Sequence, residues 1–129
     1  MKTIKVLLIE DNPIDLLVIK KMLGKSEVTS CRNLHFLVDS VSNLSDCRKI
    51  LKEKNFDFIL LDLGLPDSWG METFTIIFKQ CKDVPIIILS SINDESIAYM
   101  AVANGAKKYL IKGLIDKEEL ISSILEALD

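Results

Sequence analysis

The sequence predicts a doubly wound α/β fold with five parallel strands in the order 2-1-3-4-5 and five helices. Three observations lead there. Strand-like and helix-like patterns alternate five times along the 129 residues. The runs at 56–61 and 85–89 are nearly all apolar, as strands become when helices cover both faces of a parallel sheet. Cap and stop residues separate the runs at the expected places, and no linker, repeat or low-complexity stretch interrupts them.

The first strand spans about 4–9. Asn12 caps the helix that follows, with Pro13 at its first position and Gly24 at its end. Residues 25–33 are polar and read as a loop. A second strand covers about 35–40, and Ser42 or Asn43 opens a helix running to about Lys54. The third strand covers about 56–61. Gly64-Leu65-Pro66-Asp67-Ser68-Trp69-Gly70 reads as a loop, and a helix runs from Met71 to Cys81. The fourth strand covers 85–89; Asn93 caps a helix closed by Gly105. The fifth strand covers 107–111. Asp116 and Glu119 form a capping-box-like pair for the last helix. The expected organisation is a single domain, 1–129.

Composition excludes several classes. A chain that is 49% hydrophobic and 27% charged buries a core and is not disordered. Its net charge of −3 and scattered lysines give no basic patch for nucleic acid; Lys20-Lys21 and Lys107-Lys108 read as solvated faces. No apolar run reaches the ~18 residues of a membrane span, and the amino terminus leads straight into a strand. Cys31, Cys47 and Cys81 are odd in number, lack metal-ligand spacing and fit a reduced, cytoplasmic setting. Lone His35 lies in the second strand, away from the acidic edge, and reads as structural.

Four strands end in groups that bind cations or phosphoryl oxygens: Glu10-Asp11, Asp62, Ser90-Ser91 and Lys112. In a parallel sheet these ends share one edge, where ligands of open α/β folds bind. Glu10, Asp11 and Asp62 offer the oxygen ligands that Mg²⁺ prefers, and crowding three carboxylates is costly without a cation. Glu10 and Asp11 taken alone are equally explained as charge at a helix amino terminus. Asp62 is no helix cap, because Pro66 separates it from the next helix. A carboxylate beside a metal and a lysine can act as a nucleophile on phosphorus. Lys112 supplies a point charge for the phosphoryl group, and either Ser90 or Ser91 a hydroxyl, the choice resting on register. Tyr109 suits an edge aromatic or a two-state switch. Trp69 reads as loop packing.

The order Glu10-Asp11, Asp62, Ser90, Tyr109, Lys112 resembles the receiver domain of two-component response regulators, a flavodoxin-like fold of the chemotaxis type. The strings Leu8-Ile9-Glu10-Asp11-Asn12-Pro13, Leu61-Asp62-Leu63-Gly64-Leu65-Pro66-Asp67 and Gly105-Ala106-Lys107-Lys108-Tyr109-Leu110-Ile111-Lys112 carry the resemblance over essentially the whole chain. It implies that Asp62 is the phosphoacceptor, charged by a histidine kinase or a histidine phosphotransfer protein. Asp11, Asp62 and the Gly64 backbone carbonyl would ligate Mg²⁺, with Glu10 acting through water. Ser90 and Lys112 would bind the phosphoryl group and Tyr109 would report it. The last two helices and fifth strand would then meet a downstream protein or a second copy. Gly113 stands where the family usually has proline, so a trans Lys112–Gly113 peptide is expected.

The expected role is a signalling switch with single-use phosphoryl transfer and self-dephosphorylation, not a turnover enzyme. An aspartyl-nucleophile phosphatase would need a second Asp at position 64, which is glycine. A flavin module would need a hydroxyl- and glycine-rich loop after the first strand, where Glu10-Asp11 would repel phosphate. A receiver-fold interaction module that is never phosphorylated leaves the intact acidic set and lysine unexplained. On the first helix, at ~100° per residue, Ile14, Leu16, Val18, Ile19, Met22 and Leu23 form one broad apolar arc. Leu17 falls outside it, between Lys20 and Lys21, and with Leu114 is a candidate for a partner surface.

Overall fold

A computed structural model describes residues 2–24, 27–28 and 33–128. The five expected parallel strands are β1 (Lys2–Ile9), β3 (Asn33–Val41), β4 (Phe58–Leu61), β7 (Ile86–Ser90) and β8 (Lys108–Ile111). They lie in the order β3-β1-β4-β7-β8, the predicted 2-1-3-4-5. A two-residue strand, β2 (Glu27–Val28), extends the sheet by pairing antiparallel to β3. It falls inside the segment expected to be loop; the rest of that loop up to residue 32, with Cys31, lies outside the described residues. The loop after β4 folds into a minimal hairpin, β5 (Gly64–Leu65) with β6 (Ser68–Trp69), where no strand was expected. Five helices complete the domain: α1 (Pro13–Leu23), α2 (Leu44–Glu53), α3 (Met71–Gln80), α4 (Glu95–Ala103) and α5 (Lys117–Leu128).

Strand periodicity splits the core into two layers. Leu7, Ile9, Ile59, Leu61, Ile86 and Ile88 face α2, α3 and α4, meeting Cys47, Phe74, Ile77 and Ala101. The alternate residues Val6, Leu8, Phe58, Leu60, Ile87 and Leu89 face α1 and α5, meeting Ile19, Leu23, Leu120 and Ile124. All four residues of β4 are buried, because this central strand has helices above and below it. Each such aliphatic side chain contributes about 1.5–3 kcal/mol of transfer free energy. Phe36 meets Phe58 edge-on, at 6.5 Å between ring centroids.

The caps follow the sequence closely, with one shift. Asn12 accepts hydrogen bonds from the amides of Ile14 and Asp15, Pro13 opens α1, and Gly24 ends it. Asn43, not Ser42, caps α2 through the Asp46 amide. Asp116 accepts from the Glu119 amide at 2.8 Å at the start of α5. Asp94 rather than Asn93 caps α4, accepting from Ser96 and Ile97. The chain leaves β7 through a turn in which Ser90 Oγ accepts from the Ile92 amide, so the helix begins one residue later than expected.

Candidate phosphoryl and metal site at the carboxy-terminal edge of the sheet

Register brings the strand ends together. Ile9 pairs with Leu61, Leu61 with Ile88, and Ser90 with Ile111. Backbone bonds extend the ladder past the strands: the Glu10 amide donates to Val41, the Asp62 amide to Ile9 and the Lys112 amide to Ser90. Glu10, Asp11, Asp62, Ser90 and Lys112 therefore stand at or just past strand ends on the same edge, Gly64 follows in β5, and Tyr109 sits within β8 opposite Ile88.

Glu10, Asp11 and Asp62 each present a carboxylate oxygen within 4.8 Å of the others. This all-oxygen set suits a hard cation such as Mg²⁺. Glu10 is buried, and that burial, reinforced by the neighbouring Asp62 carboxylate, pushes its carboxyl up to about 7 despite its contact with Lys112. Asp11 is exposed and Asp62 half-buried, so the cluster opens to solvent on one side. The Asp62 carboxylate accepts the Gly64 amide at Oδ1, 3.2 Å away, and Lys112 Nζ at Oδ2, also 3.2 Å away.

Lys112 reaches across the sheet edge from the end of β8. Its ammonium contacts Glu10 Oε1 and donates to Asp15 Oδ2 at 3.1 Å as well as to Asp62. Burial alone would lower its pKa; the bonds to Glu10, Asp62 and Asp15 outweigh burial and hold it above the ordinary lysine value. The next residue, Gly113, takes φ +82°, a left-handed conformation that a side chain disfavours. No cis peptide occurs among the described residues, so the expected trans bond is present and the lysine still points inward.

Ser90, at the end of β7, is buried, while Ser91 is exposed. Tyr109 is half-buried, and its hydroxyl donates to the Ile92 carbonyl at 2.8 Å. Ile92 is thus held by both predicted residues, its amide by Ser90 and its carbonyl by Tyr109. Trp69 lies over Gly64: a Cβ built on Gly64 would come within 2.8 Å of the indole. Its own outer face is largely exposed. His35 pairs with Thr3 at the opposite end of the β1–β3 ladder from the acidic cluster. Cys47 and Cys81 are free thiols raised by burial to about 12 and about 11, as befits inert core cysteines.

Two residues escaped sequence reasoning. Asp15 lies in the first turn of α1, and the helix that Asn12 caps beside the acidic cluster is the signal that could have placed it at the same edge. Asp67, in the turn between β5 and β6, accepts the amides of Leu44 at 2.7 Å and Ser45 at 3.0 Å, which hold its carboxyl below the usual range. It caps α2 from 23 residues away, a long-range cap that local rules do not detect. The helical arc also needs correction. Ile14 and Val18 are exposed with Leu17, because the sheet and α5 leave room only for Ile19 and Leu23 in full and for Leu16 and Met22 in part.

In metal-free protein the Glu10 shift makes stability pH-dependent. Its carboxyl binds more protons folded than unfolded between about 4.5 and about 7, so its contribution is complete below that window and is lost as pH rises through it. Urea unfolding in the presence of a chelator should show wild type losing stability across this window relative to Glu10→Gln, by at most about 3 kcal/mol. Parallel pH profiles for the two proteins would contradict the buried-carboxyl account. Cation binding is expected to change Trp69 fluorescence, because the indole rests on the residue bonded to Asp62. An unchanged spectrum, with Mg²⁺ binding shown independently, would separate Trp69 from the site.

The family model of the response regulator receiver domain matches residues 6–125. The Bacillus subtilis (strain 168) protein named "Probable C4-dicarboxylate response regulator DctR" is 32% identical over 108 residues, covering 84% of this chain and 45% of that protein. The chain spans less than half the length of that relative. A response regulator receiver domain protein from Clostridium thermocellum superposes with a TM-score of 0.78 at 25% identity, over 97% of this chain and 94% of that one. A Burkholderia pseudomallei response regulator with a phosphorylated aspartic acid and a calcium ion superposes at 0.71 and 24% identity, over 93% and 65%. With the fold, the acidic edge and the family match in agreement, the chain belongs to the response regulator receiver domains of two-component signalling.

Proposed function

We propose that the chain is a single receiver domain, 1–129, that accepts a phosphoryl group on Asp62 from a phosphohistidine donor and changes its surface in response. The observation that carries this reading is the Lys112 ammonium 3.2 Å from Asp62 Oδ2, at the edge where three carboxylates converge. The Burkholderia pseudomallei response regulator of like fold carries a phosphorylated aspartic acid and a calcium ion, which is in keeping with this reading.

Glu10, Asp11 and Asp62, with the Gly64 backbone carbonyl, are the groups suited to hold Mg²⁺. When bound, the ion supplies positive charge that offsets the phosphoryl oxygens. An Asp62 carboxylate oxygen attacks phosphorus, forming an O–P bond as the donor's N–P bond breaks with its electron pair remaining on the imidazole nitrogen. Lys112 steadies the transferred group as a fixed point charge. Ser90 Oγ already accepts from the Ile92 amide, so its O–H remains available as a donor to a phosphoryl oxygen. Drawing Ser90 toward the phosphoryl group loosens its hold on Ile92, and Tyr109, bonded to the same residue, changes position. Water attacking the same phosphorus with Asp62 leaving resets the domain. The role is a switch rather than a turnover enzyme, in a cytoplasmic setting, with α4, β8 and α5 meeting a downstream protein or second copy.

The donor is expected to dock beside the site. Ile14, at 73% exposure, lies with Leu17 and Val18 on the outer side of α1, and Leu114, at 66%, follows Lys112. A cleft of about 50 Å³ is lined by Val18, Met22 and Asp15 of α1 and by Lys112, Gly113 and Ile115. Exposed apolar groups beside a reactive edge suit the helices of a histidine-bearing partner.

With Mg²⁺ and acetyl phosphate, intact mass should rise by one phosphoryl group, and Asp62→Asn should abolish the gain. Equal labelling of that variant would sink the assignment. Leu17→Glu should slow transfer from the cognate phosphohistidine donor about tenfold, equivalent to ~1.4 kcal/mol, while leaving acetyl phosphate labelling and thermal stability nearly unchanged. Equal slowing with both donors would instead make Leu17 a support of the site.

A further inference from the structure

We propose that Asp15 is a positioning residue that restrains Lys112 and so slows phosphoryl uptake by Asp62. This rests on the reading of Asp62 as phosphoacceptor.

A lysine ammonium has three N–H donors. In this chain three carboxylates surround it: Glu10 Oε1, Asp15 Oδ2 at 3.1 Å and Asp62 Oδ2 at 3.2 Å. Two of its N–H groups are given to Asp15 and Asp62, and the ammonium is also ion-paired with Glu10, so an arriving phosphoryl oxygen must compete with three carboxylates for the same charge. The partners differ in what release costs. The Glu10 side chain is 1% exposed, so losing the lysine would strand a carboxylate where water cannot replace the contact. Asp62 is 12% exposed and is itself the reacting group. Asp15 is 39% exposed, and water can take the place of the ammonium at little cost. Asp15 is thus the contact that yields.

Asp15 is also held in place. Its amide donates to Asn12 Oδ1 at 3.1 Å, and the Asn12 amide donates to Glu10 Oε2 at 3.2 Å. The helix cap consequently fixes the Asp15 backbone relative to the acidic cluster, which keeps its carboxylate within reach of Lys112. A charge in the first turn of a helix would by itself serve the helix dipole, but that role affects stability and not the lysine. Asp15 further adds negative charge beside a site that must admit an anionic donor.

The test compares wild type, Asp15→Asn and Asp15→Glu. With Mg²⁺ and saturating acetyl phosphate, Asp15→Asn should label Asp62 roughly two- to fivefold faster, as expected for loss of one partly exposed ion pair. Asp15→Glu should return the rate toward wild type. In metal-free protein the side-chain ¹⁵N resonance of the Lys112 ammonium should shift in Asp15→Asn and stay near its original position in Asp15→Glu. A rate that is unchanged or slower in Asp15→Asn overturns the proposal, as does a Lys112 resonance that does not move. If wild type takes up no phosphoryl group, the phosphoacceptor reading fails, and with it any role for Asp15 in uptake; a shifted Lys112 resonance would then mark a structural ion pair alone.

Discussion

The carboxy-terminal edge of the sheet is arranged around the Lys112 ammonium. The ammonium meets carboxylates from the end of β1, the first turn of α1 and the end of β4, elements far apart in sequence. Buried carboxylates at such spacing repel one another unless a cation stands between them, and here the protein supplies part of that cation itself. Burial, with the neighbouring Asp62 carboxylate, keeps the Glu10 carboxyl raised, and the three clustered carboxylates offer an all-oxygen set to a hard metal ion. The lysine can serve all three partners because β8 sits two strands from β4 and Gly113 turns the chain away immediately afterwards.

From that centre, the loops around the site are tied to surfaces that can read it. The hairpin of β5 and β6 lays Trp69 on Gly64, and its turn residue Asp67 grips the amino terminus of α2. The loop after β7 is gripped twice at Ile92, by Ser90 and by Tyr109, and leads directly into the Asp94 cap of α4. A displacement of Ser90 would pass to Ile92 through one hydrogen bond and to Tyr109 through a second. On the other face, Asn12 joins the acidic cluster to α1, whose outer side carries the exposed Ile14, Leu17 and Val18. The edge is thereby linked to α1, α2 and α4 by short bonded paths. Such paths become signals only when two arrangements of the same elements are close in free energy.

The sequence by itself determined the architecture and which charged groups meet at one edge of the sheet. Alternating strand and helix patterns, apolar central runs and local caps act over a few residues, so five strands, five helices and the order of the parallel sheet were legible. The identities of Glu10, Asp11, Asp62 and Lys112 were legible as well, because each closes an apolar run and parallel strands must end together. Tertiary structure decided what depends on register or distance. It buried Ser90 and exposed Ser91, and it moved the α4 cap to Asp94 once the Ser90 turn had used a residue. It exposed Ile14 and Val18, since an apolar arc records what a helix can bury and not how much neighbouring surface exists to cover it. It also brought Asp15 to Lys112 across 97 residues and Asp67 to α2 across 23. A carboxylate's partner at such separations is fixed by how the helices pack on the sheet, and no local pattern encodes that distance.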